Sequence, residues 1–264
     1  MSLKEEISLN HYENPNLWGE TYWNDVQLER ARQTVEHVPE TVHSILDIGC
    51  GAGIVTRELK RRFHMLVSLD LARGPLLQVK NAQILAIQGD ACHLPFRERT
   101  FEAVVATELI EHLPDSQRRQ TLNEMMRVSK RFILLTVPFR EVLEYGQVKC
   151  AECGCVFNAS RHTKSFYTVD MKSLLDSNWS VRKIQTFGPR QKRIPVIFII
   201  LAQMFGGYMA VRRANVTCPQ CGNMENYISR RNWMTRLFSG GPSRYLPLPK
   251  FNNWIVVLYE RKYD

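Results

Sequence analysis

The sequence predicts an α/β fold, a largely parallel sheet with helices on both faces and a small cysteine-bearing insert. Three observations predict it. Short apolar runs alternate with amphipathic stretches along most of the chain, the rhythm of βαβ units. The first run ends in a glycine-rich turn, "ILDIGCGAG", which opens onto a helical pattern. Two copies of Cys-x-x-Cys-Gly lie outside that rhythm.

The elements follow in order. Residues 1–43 carry Tyr12, Trp18, Tyr22 and Trp23, then Val26, Leu28, Ala31, Val35 and Val38 at helical spacing. "ILDIG" is strand one, and Thr56 to Phe63 is its helix. "MLVSLD" is strand two, "ILAIQGD" strand three and "FEAVVAT" strand four, followed by a helix near 116–128. "RFILLTVP" is strand five. "TVDMKSLLDSN" reads as a helix with Thr168 as its N-cap and Asp170 in the first turn. "SVRKIQTF" and "NWIVVLYER" are strands six and seven. Two segments, 140–165 and 188–250, break the alternation and hold the cysteine pairs.

The chain has 264 residues, 44% hydrophobic and 23% charged, which is globular rather than disordered composition. The first residues are polar and do not form a signal peptide, so a cytoplasmic location is expected. Seven cysteines without a secretory signal argue against a disulfide framework and for metal or free thiols. The formal charge of +9 suits nucleic acid, an anionic membrane surface or anionic substrates, and equally simple solubility.

Gly49, Gly51 and Gly53 leave a stretch of backbone bare at a strand end, where a ligand can approach closely. Their spacing is G-x-G-x-G, not the dinucleotide G-x-G-x-x-G, and no Walker lysine pattern follows. Asp70 ends strand two, where a carboxylate can accept both ribose hydroxyls. Taken singly, Asp70 also reads as a helix cap and Asp90 as a turn residue.

Four stretches in series, "ILDIGCGAG", "LVSLD", "IQGDACHLPF" and "FEAVVATELIEHLPD", resemble the class I S-adenosylmethionine-dependent methyltransferases, specifically their type 11 branch. The resemblance implies a Rossmann-like methyltransferase sheet of seven strands with strand seven antiparallel. It divides the chain into an N-terminal helical lid (1–43), a cofactor-binding half (44–139), an acceptor cover formed by 140–165 with 188–250, and the rest of the methyltransferase domain (166–187 and 251–264). It further implies that Asp47 holds the cofactor's cationic amino group and that Gly49, Gly51 and Gly53 hug its methionine part. Asp70 and Leu71 would then hold the ribose side, and Asp90 with the Ala91 backbone the adenine. Thr107 and Glu108 would stand where cofactor and acceptor meet. Trp18, Tyr22 and Trp23 either close over the cofactor or simply pack. His112 reads as a structural residue or a general base, and Glu108 as a second catalytic candidate.

The two cysteine knuckles, "KCAECGC" and "TCPQCGN", place Cys150, Cys153, Cys218 and Cys221 as ligands of a structural Zn2+ site. A lone CxxC also fits redox chemistry; two matched copies favour zinc. Cys155 and His162 are spare ligands, and Cys50 and Cys92 read as packing thiols. A zinc site would tie two distant inserts into one cover.

The apolar run 194–211 has basic flanks and is shorter than the about 20 residues a membrane span needs. It reads as a buried helix, as an interfacial helix touching a membrane peripherally, or as a lipid-acceptor groove.

The expected activity is therefore methyl transfer from S-adenosylmethionine to a small-molecule, glycan-precursor or lipid-linked acceptor. The alternatives are an RNA methyltransferase and a non-catalytic zinc-containing binding module. Nucleic acid is disfavoured, because neither an Asn/Asp-Pro-Pro-aromatic motif nor a Pro-Cys nucleophile follows Ala106.

Overall fold

A computed structural model describes residues 3–19, 23–208, 216–224, 232–239 and 247–262. The main sheet has seven strands: β1 (Ser44–Ile48), β2 (Met65–Asp70), β3 (Leu85–Gln88), β4 (Phe101–Thr107), β5 (Ser129–Pro138), β8 (Trp179–Lys192) and β9 (Lys250–Arg261). Between β5 and β8 in the chain, β6 (Gln147–Lys149) and β7 (Val156–Asn158) form a separate antiparallel hairpin. The spatial order of the sheet is β3-β2-β1-β4-β5-β9-β8. Pairing from β3 through to β5 is parallel, and β9 runs antiparallel to both its neighbours. The expected single antiparallel strand is thus β9, the seventh strand of the sheet.

The central strands form because their side chains are apolar on both faces. Ile45, Leu46 and Ile48 of β1, Val104 and Val105 of β4 and Ile133 and Leu135 of β5 are fully buried. Each such side chain contributes roughly 1.5–3 kcal/mol by leaving water. One face packs on α2 (Asp25–Val35), α3 (Ile54–Arg62) and α4 (Arg73–Asn81) through Ala31, Val35, Val55, Leu59, Leu76 and Val79. The other packs on α5 (Asp115–Val128) and α6 (Thr168–Lys172) through Leu122, Met125, Val128 and Met171.

Several elements differ from expectation. α4 was not foreseen: its start carries Gly74 and Pro75, and its apolar stripe is only Leu76, Leu77 and Val79. α6 is five residues long, and its N-cap is Tyr167, not Thr168; the Asp170 carboxylate accepts the Tyr167 N–H at 2.8 Å. β8 continues through Gly188 and Pro189 to Lys192, because a register shift between Phe187 and Arg190 absorbs them. Gly188 takes a left-handed φ and lies where any side chain would enter the Trp254 ring.

N-terminal to the sheet, α1 (Leu3–Glu13) lies against α4. The apolar run yields α7 (Val196–Met204), which packs on α8 (Trp233–Ser239). Ile199 and Ala202 are buried, whereas Val196, Ile197, Ile200 and Met204 are exposed. The helix is half-buried, between the buried and interfacial readings; residues 209–211 of the run, like Tyr22, lie outside the described residues. No described helix is long and apolar enough to cross a membrane.

Candidate functional site

The strand order reverses between β1 and β4, and open α/β sheets bind ligands beyond the carboxyl ends of their strands at that point. The sequence-singled residues of the first half converge there. Gly49, Gly51 and Gly53 all have positive φ, so the turn after β1 takes a path that side-chain-bearing residues resist. Gly49 and Cys50 donate backbone N–H groups to the Leu69 carbonyl of β2.

Asp70 is tied into this turn. Its carboxylate accepts the Gly51 N–H at 2.8 Å and the Ala72 N–H at 2.9 Å. Burial raises its pKa, and the two N–H groups oppose the rise. Asp47, at the end of β1, is 1% exposed and accepts the Thr56 hydroxyl at 2.5 Å through one oxygen. Its other oxygen, Oδ1, has no partner among the described residues. Burial pushes the Asp47 pKa up to about 7, against the Thr56 hydrogen bond and with the help of the Asp70 charge.

Asp90 is half exposed. It accepts the Cys92 N–H at 2.8 Å and faces His93 Nδ1 at 3.1 Å, so it also makes the local turn that its residue type suggests. Leu71 is exposed at the end of β2, Ala91 is partly buried, and Thr107 is buried at the end of β4. Of the two packing thiols, Cys50 is buried beside the turn and Cys92 lies 3.5 Å from the Thr121 hydroxyl.

The N-terminal segment lies over this turn. A side chain at Gly51 would collide with the Trp18 ring, 2.6 Å from an ideal Cβ. Trp18 donates its indole N–H to the Tyr12 carbonyl at 2.8 Å. Glu13 latches the end of α1 to the start of α4, its carboxylate accepting the Arg73 and Gly74 N–H groups, each at 2.6 Å. Trp23 does not join them; the Arg57 guanidinium stacks over its ring 5.1 Å away. Sequence reading missed Glu13, because a single glutamate near a helix end carries no distinguishing pattern.

Beyond β4 the chain builds an acidic and imidazole-rich cluster. Glu108 has a φ of 53° and donates its backbone N–H to Thr136 of β5. Its carboxylate accepts the Trp254 indole N–H at 3.2 Å and lies 3.9 Å from Arg30, which is 3% exposed. Glu111 is fully buried. Burial raises the pKa of both glutamates, and the Glu108 charge raises that of Glu111 further. Tyr12 stands between the two halves, its hydroxyl 3.3 Å from His112 Nδ1. Burial pushes the Tyr12 pKa up to about 12, against Arg161 and with added push from Glu111 and Asp70. His112 is held well below the ordinary range by burial, then by His162, His11 and Arg161. His162, which the sequence offers as a spare zinc ligand, lies in this cluster, with Nδ1 against the Glu141 carboxylate and its ring 4.6 Å from that of His112. Sequence reading also missed Arg30, which sits in an unremarkable amphipathic helix, and Glu141, which sits in the loop after β5.

The four knuckle cysteines meet as expected. Their sulfurs lie within 4.8 Å of one another, with Cys150–Cys221 at 3.7 Å and Cys153–Cys218 at 3.5 Å. A tetrahedral ion with sulfurs at about 2.3 Å sets S···S separations near 3.8 Å, so the four sulfurs fit Zn2+. The knuckles repeat one geometry: Gly154 donates to the Cys150 carbonyl and Gly222 to that of Cys218, both glycines with positive φ. Burial raises the Cys150 pKa, but N–H groups of Cys153 and Glu152 outweigh it and bring the thiol down to about 7. Cys155 stays outside the set, with its sulfur toward the Val156 carbonyl.

The first knuckle joins the cluster through the segment that follows β7. Thr163 donates its N–H to the Glu111 carbonyl at 2.7 Å, and its hydroxyl lies 2.8 Å from the Leu113 carbonyl. Gly222 of the second knuckle faces Ile7 of α1.

A family profile described as "Methyltransferase domain" matches residues 45–131. Among curated relatives, a demethylmenaquinone methyltransferase of Corynebacterium glutamicum is 31% identical over 109 residues, 41% of this chain and 46% of that protein. A ubiquinone biosynthesis O-methyltransferase of Leptothrix cholodnii is 30% identical over 103 residues, 35% of this chain and 42% of that protein. The chain thus spans less than half the length of these two relatives. A chain from the complex of the Haloferax volcanii Trm112 methyltransferase activator with a methyltransferase superposes with a TM-score of 0.57 at 15% identity, covering 100% of this chain and 99% of that one. At that identity the likeness establishes the fold, a Rossmann-like methyltransferase sheet.

Proposed function

We propose that the chain is an S-adenosylmethionine-dependent methyltransferase acting on a small-molecule, glycan-precursor or lipid-linked acceptor, with a structural zinc knuckle. The single observation that carries this reading is the buried Asp47 Oδ1 without a partner, beside a side-chain-free turn that Asp70 closes. Such an orphaned acceptor is costly unless a bound group satisfies it, and a cationic amino group does so. When bound, S-adenosylmethionine supplies an activated methyl group on a positively charged sulfur.

The chain's own residues divide the remaining work. Asp47, oriented by Thr56, accepts the amino group. The turn at Gly49, Gly51 and Gly53 offers the methionine end a backbone bare of side chains, its three N–H groups being already given to Leu69, Asp70 and Cys50. Asp70 keeps lone pairs for ribose hydroxyls besides the two N–H groups it already accepts. Leu71 presents an exposed apolar surface to the base, with Asp90 and the Ala91 backbone at its edge. Thr107 and Glu108 close the methyl end. Alignment of acceptor and methyl group is where such a site gains most of its rate. His112 is better suited to position than to accept a proton at neutral pH, since its surroundings disfavour the charged ring.

Cys150, Cys153, Cys218 and Cys221 would hold zinc with no open position, a structural role. The inserts they tie then cover the acceptor side, which Thr163 already anchors to the Glu111 segment. The exposed aliphatic face of α7 supports an apolar or lipid-linked acceptor and peripheral contact with a membrane.

Titration calorimetry with S-adenosylmethionine tests the proposal. Wild-type protein should bind, and Asp70→Asn should bind at least tenfold more weakly. Turnover over a panel of small-molecule, glycan and lipid-linked acceptors then separates an enzyme from a binding module. Binding of RNA that falls steeply with salt would redirect the acceptor assignment.

A further inference from the structure

Glu111 is fully buried, yet among the described residues neither of its carboxylate oxygens has a hydrogen-bond partner. Leaving a buried polar group in that state costs roughly 1–3 kcal/mol, and more for a charged one. Its surroundings are not apolar. Donor atoms of Glu111, His112 and His162 all lie within 4.8 Å of one another. Both histidines have Nδ1 committed to an oxygen, His112 to the Tyr12 hydroxyl and His162 to the Glu141 carboxylate. That leaves His162 Nε2 for another partner, the arrangement of a metal-binding imidazole whose far nitrogen is fixed by an outer oxygen; the His112 ring also bonds the Ser160 backbone, a contact that an ion would displace.

We propose that Glu111, His112 and His162 form a second metal site, separate from the four cysteines, for a divalent transition ion that receives a hydroxyl oxygen of the acceptor. Two imidazoles and one carboxylate suit Mn2+, Fe2+, Co2+ or Zn2+ rather than Ca2+, which prefers an all-oxygen cage. Ligand atoms at about 2.1 Å from one ion stand at most about 4.2 Å apart, so the three groups need only a small contraction. Three protein ligands leave positions open, unlike the knuckle. Both histidines are partly exposed, which gives an ion and an acceptor a way in.

The site lies next to the cofactor turn. Trp18 covers Gly51, Trp18 bonds to Tyr12, and Tyr12 meets His112. An acceptor hydroxyl bound to the ion becomes a stronger acid. Its O–H bond breaks, the electron pair stays on oxygen, and the proton leaves to solvent. An oxygen nucleophile is what this device prepares, so the acceptor atom is oxygen. The acceptor half of this inference rests on the methyltransferase reading; the metal half does not.

The test uses the full chain with its cysteine-bound zinc retained, titrated separately with Mn2+ and Co2+. Free Mn2+ is followed by electron paramagnetic resonance and bound Co2+ by its visible absorption. One ion per chain should bind to the wild type. Glu111→Gln and His162→Ala should each weaken binding at least tenfold, with zinc content and S-adenosylmethionine affinity unchanged. No binding of either ion, or variants that bind like wild type, would overturn the site. If Glu111→Gln does not fold, His162→Ala at its partly exposed position decides alone. Ion binding without S-adenosylmethionine binding would leave the metal site standing and remove the methyltransferase reading instead. Should the loaded enzyme methylate an amine but not the matching hydroxyl analogue, the oxygen assignment falls.

Discussion

The floor and the cover of this site are built in opposite ways. The floor is local: Asp47, the glycine turn and Asp70 lie within 24 positions, on strands whose side chains are buried on both faces. The cover is assembled at long range. Cys150 meets Cys221, Tyr12 meets His112, and Trp254 meets Glu108, separations of 71, 100 and 146 residues. The difference teaches that the floor inherits the stability of the core, whereas the proposed cover depends on a few polar ties and on the ion that the four cysteines are proposed to hold.

The largest expected effect is on the cover. Cys150→Ser, or chelation of the zinc, should abolish methyl transfer and expose the backbone of residues 140–165 to hydrogen exchange. Structural zinc in small sites contributes about 10 kcal/mol or more to the local fold. The central strands should stay protected, and S-adenosylmethionine affinity should fall by less than tenfold. Equal loss of protection in β1 and β4 would show that floor and cover unfold as one unit.

Asp47 sharpens the comparison from the floor side. Its folded pKa, near 7, lies above the ordinary carboxylate value, so its contribution is intact below about pH 4 and is lost as pH rises through 7. Without cofactor, Asp47→Asn should therefore raise stability at pH 8, by up to about 4 kcal/mol. The same variant should remove the rise in S-adenosylmethionine affinity expected between pH 6 and 8 in the wild type. Denaturant titration and calorimetry across that range check both.

The smallest effect belongs to the latch between them. Glu13→Gln weakens two hydrogen bonds at the start of α4 and should cost about 1 kcal/mol. It should show as faster exchange in α1 and little change in the melting temperature of the whole chain.

The same contrast explains what could be read from the sequence. β1 and β4 are runs of mostly buried apolar residues, β2 and β5 carry enough of them to read as strands, and the strand-end aspartates and glycines fall at set intervals; one dimension suffices. The cysteine knuckles carry their own turn chemistry in Cys-x-x-Cys-Gly, so their convergence was also legible. The cluster was not. Glu111 sits between Ile110 and His112 with nothing to mark it as buried, and His162 comes within reach only because the β6–β7 hairpin returns the chain to β4. Three-residue strands carry no periodic signal. The α4 stripe was too short, and Tyr167 displaced Thr168 as cap because Asp170 reaches back to its N–H rather than onward.

Glu108 has a backbone shape that glycine or asparagine would adopt with less strain. Selection for heat resistance alone would therefore drive that position toward Gly, at the expense of the carboxylate that Arg30 and Trp254 hold. A laboratory lineage evolved only for robustness should drift into inactivity at this codon first, and its retention of glutamate under such pressure would measure how strongly turnover is being selected.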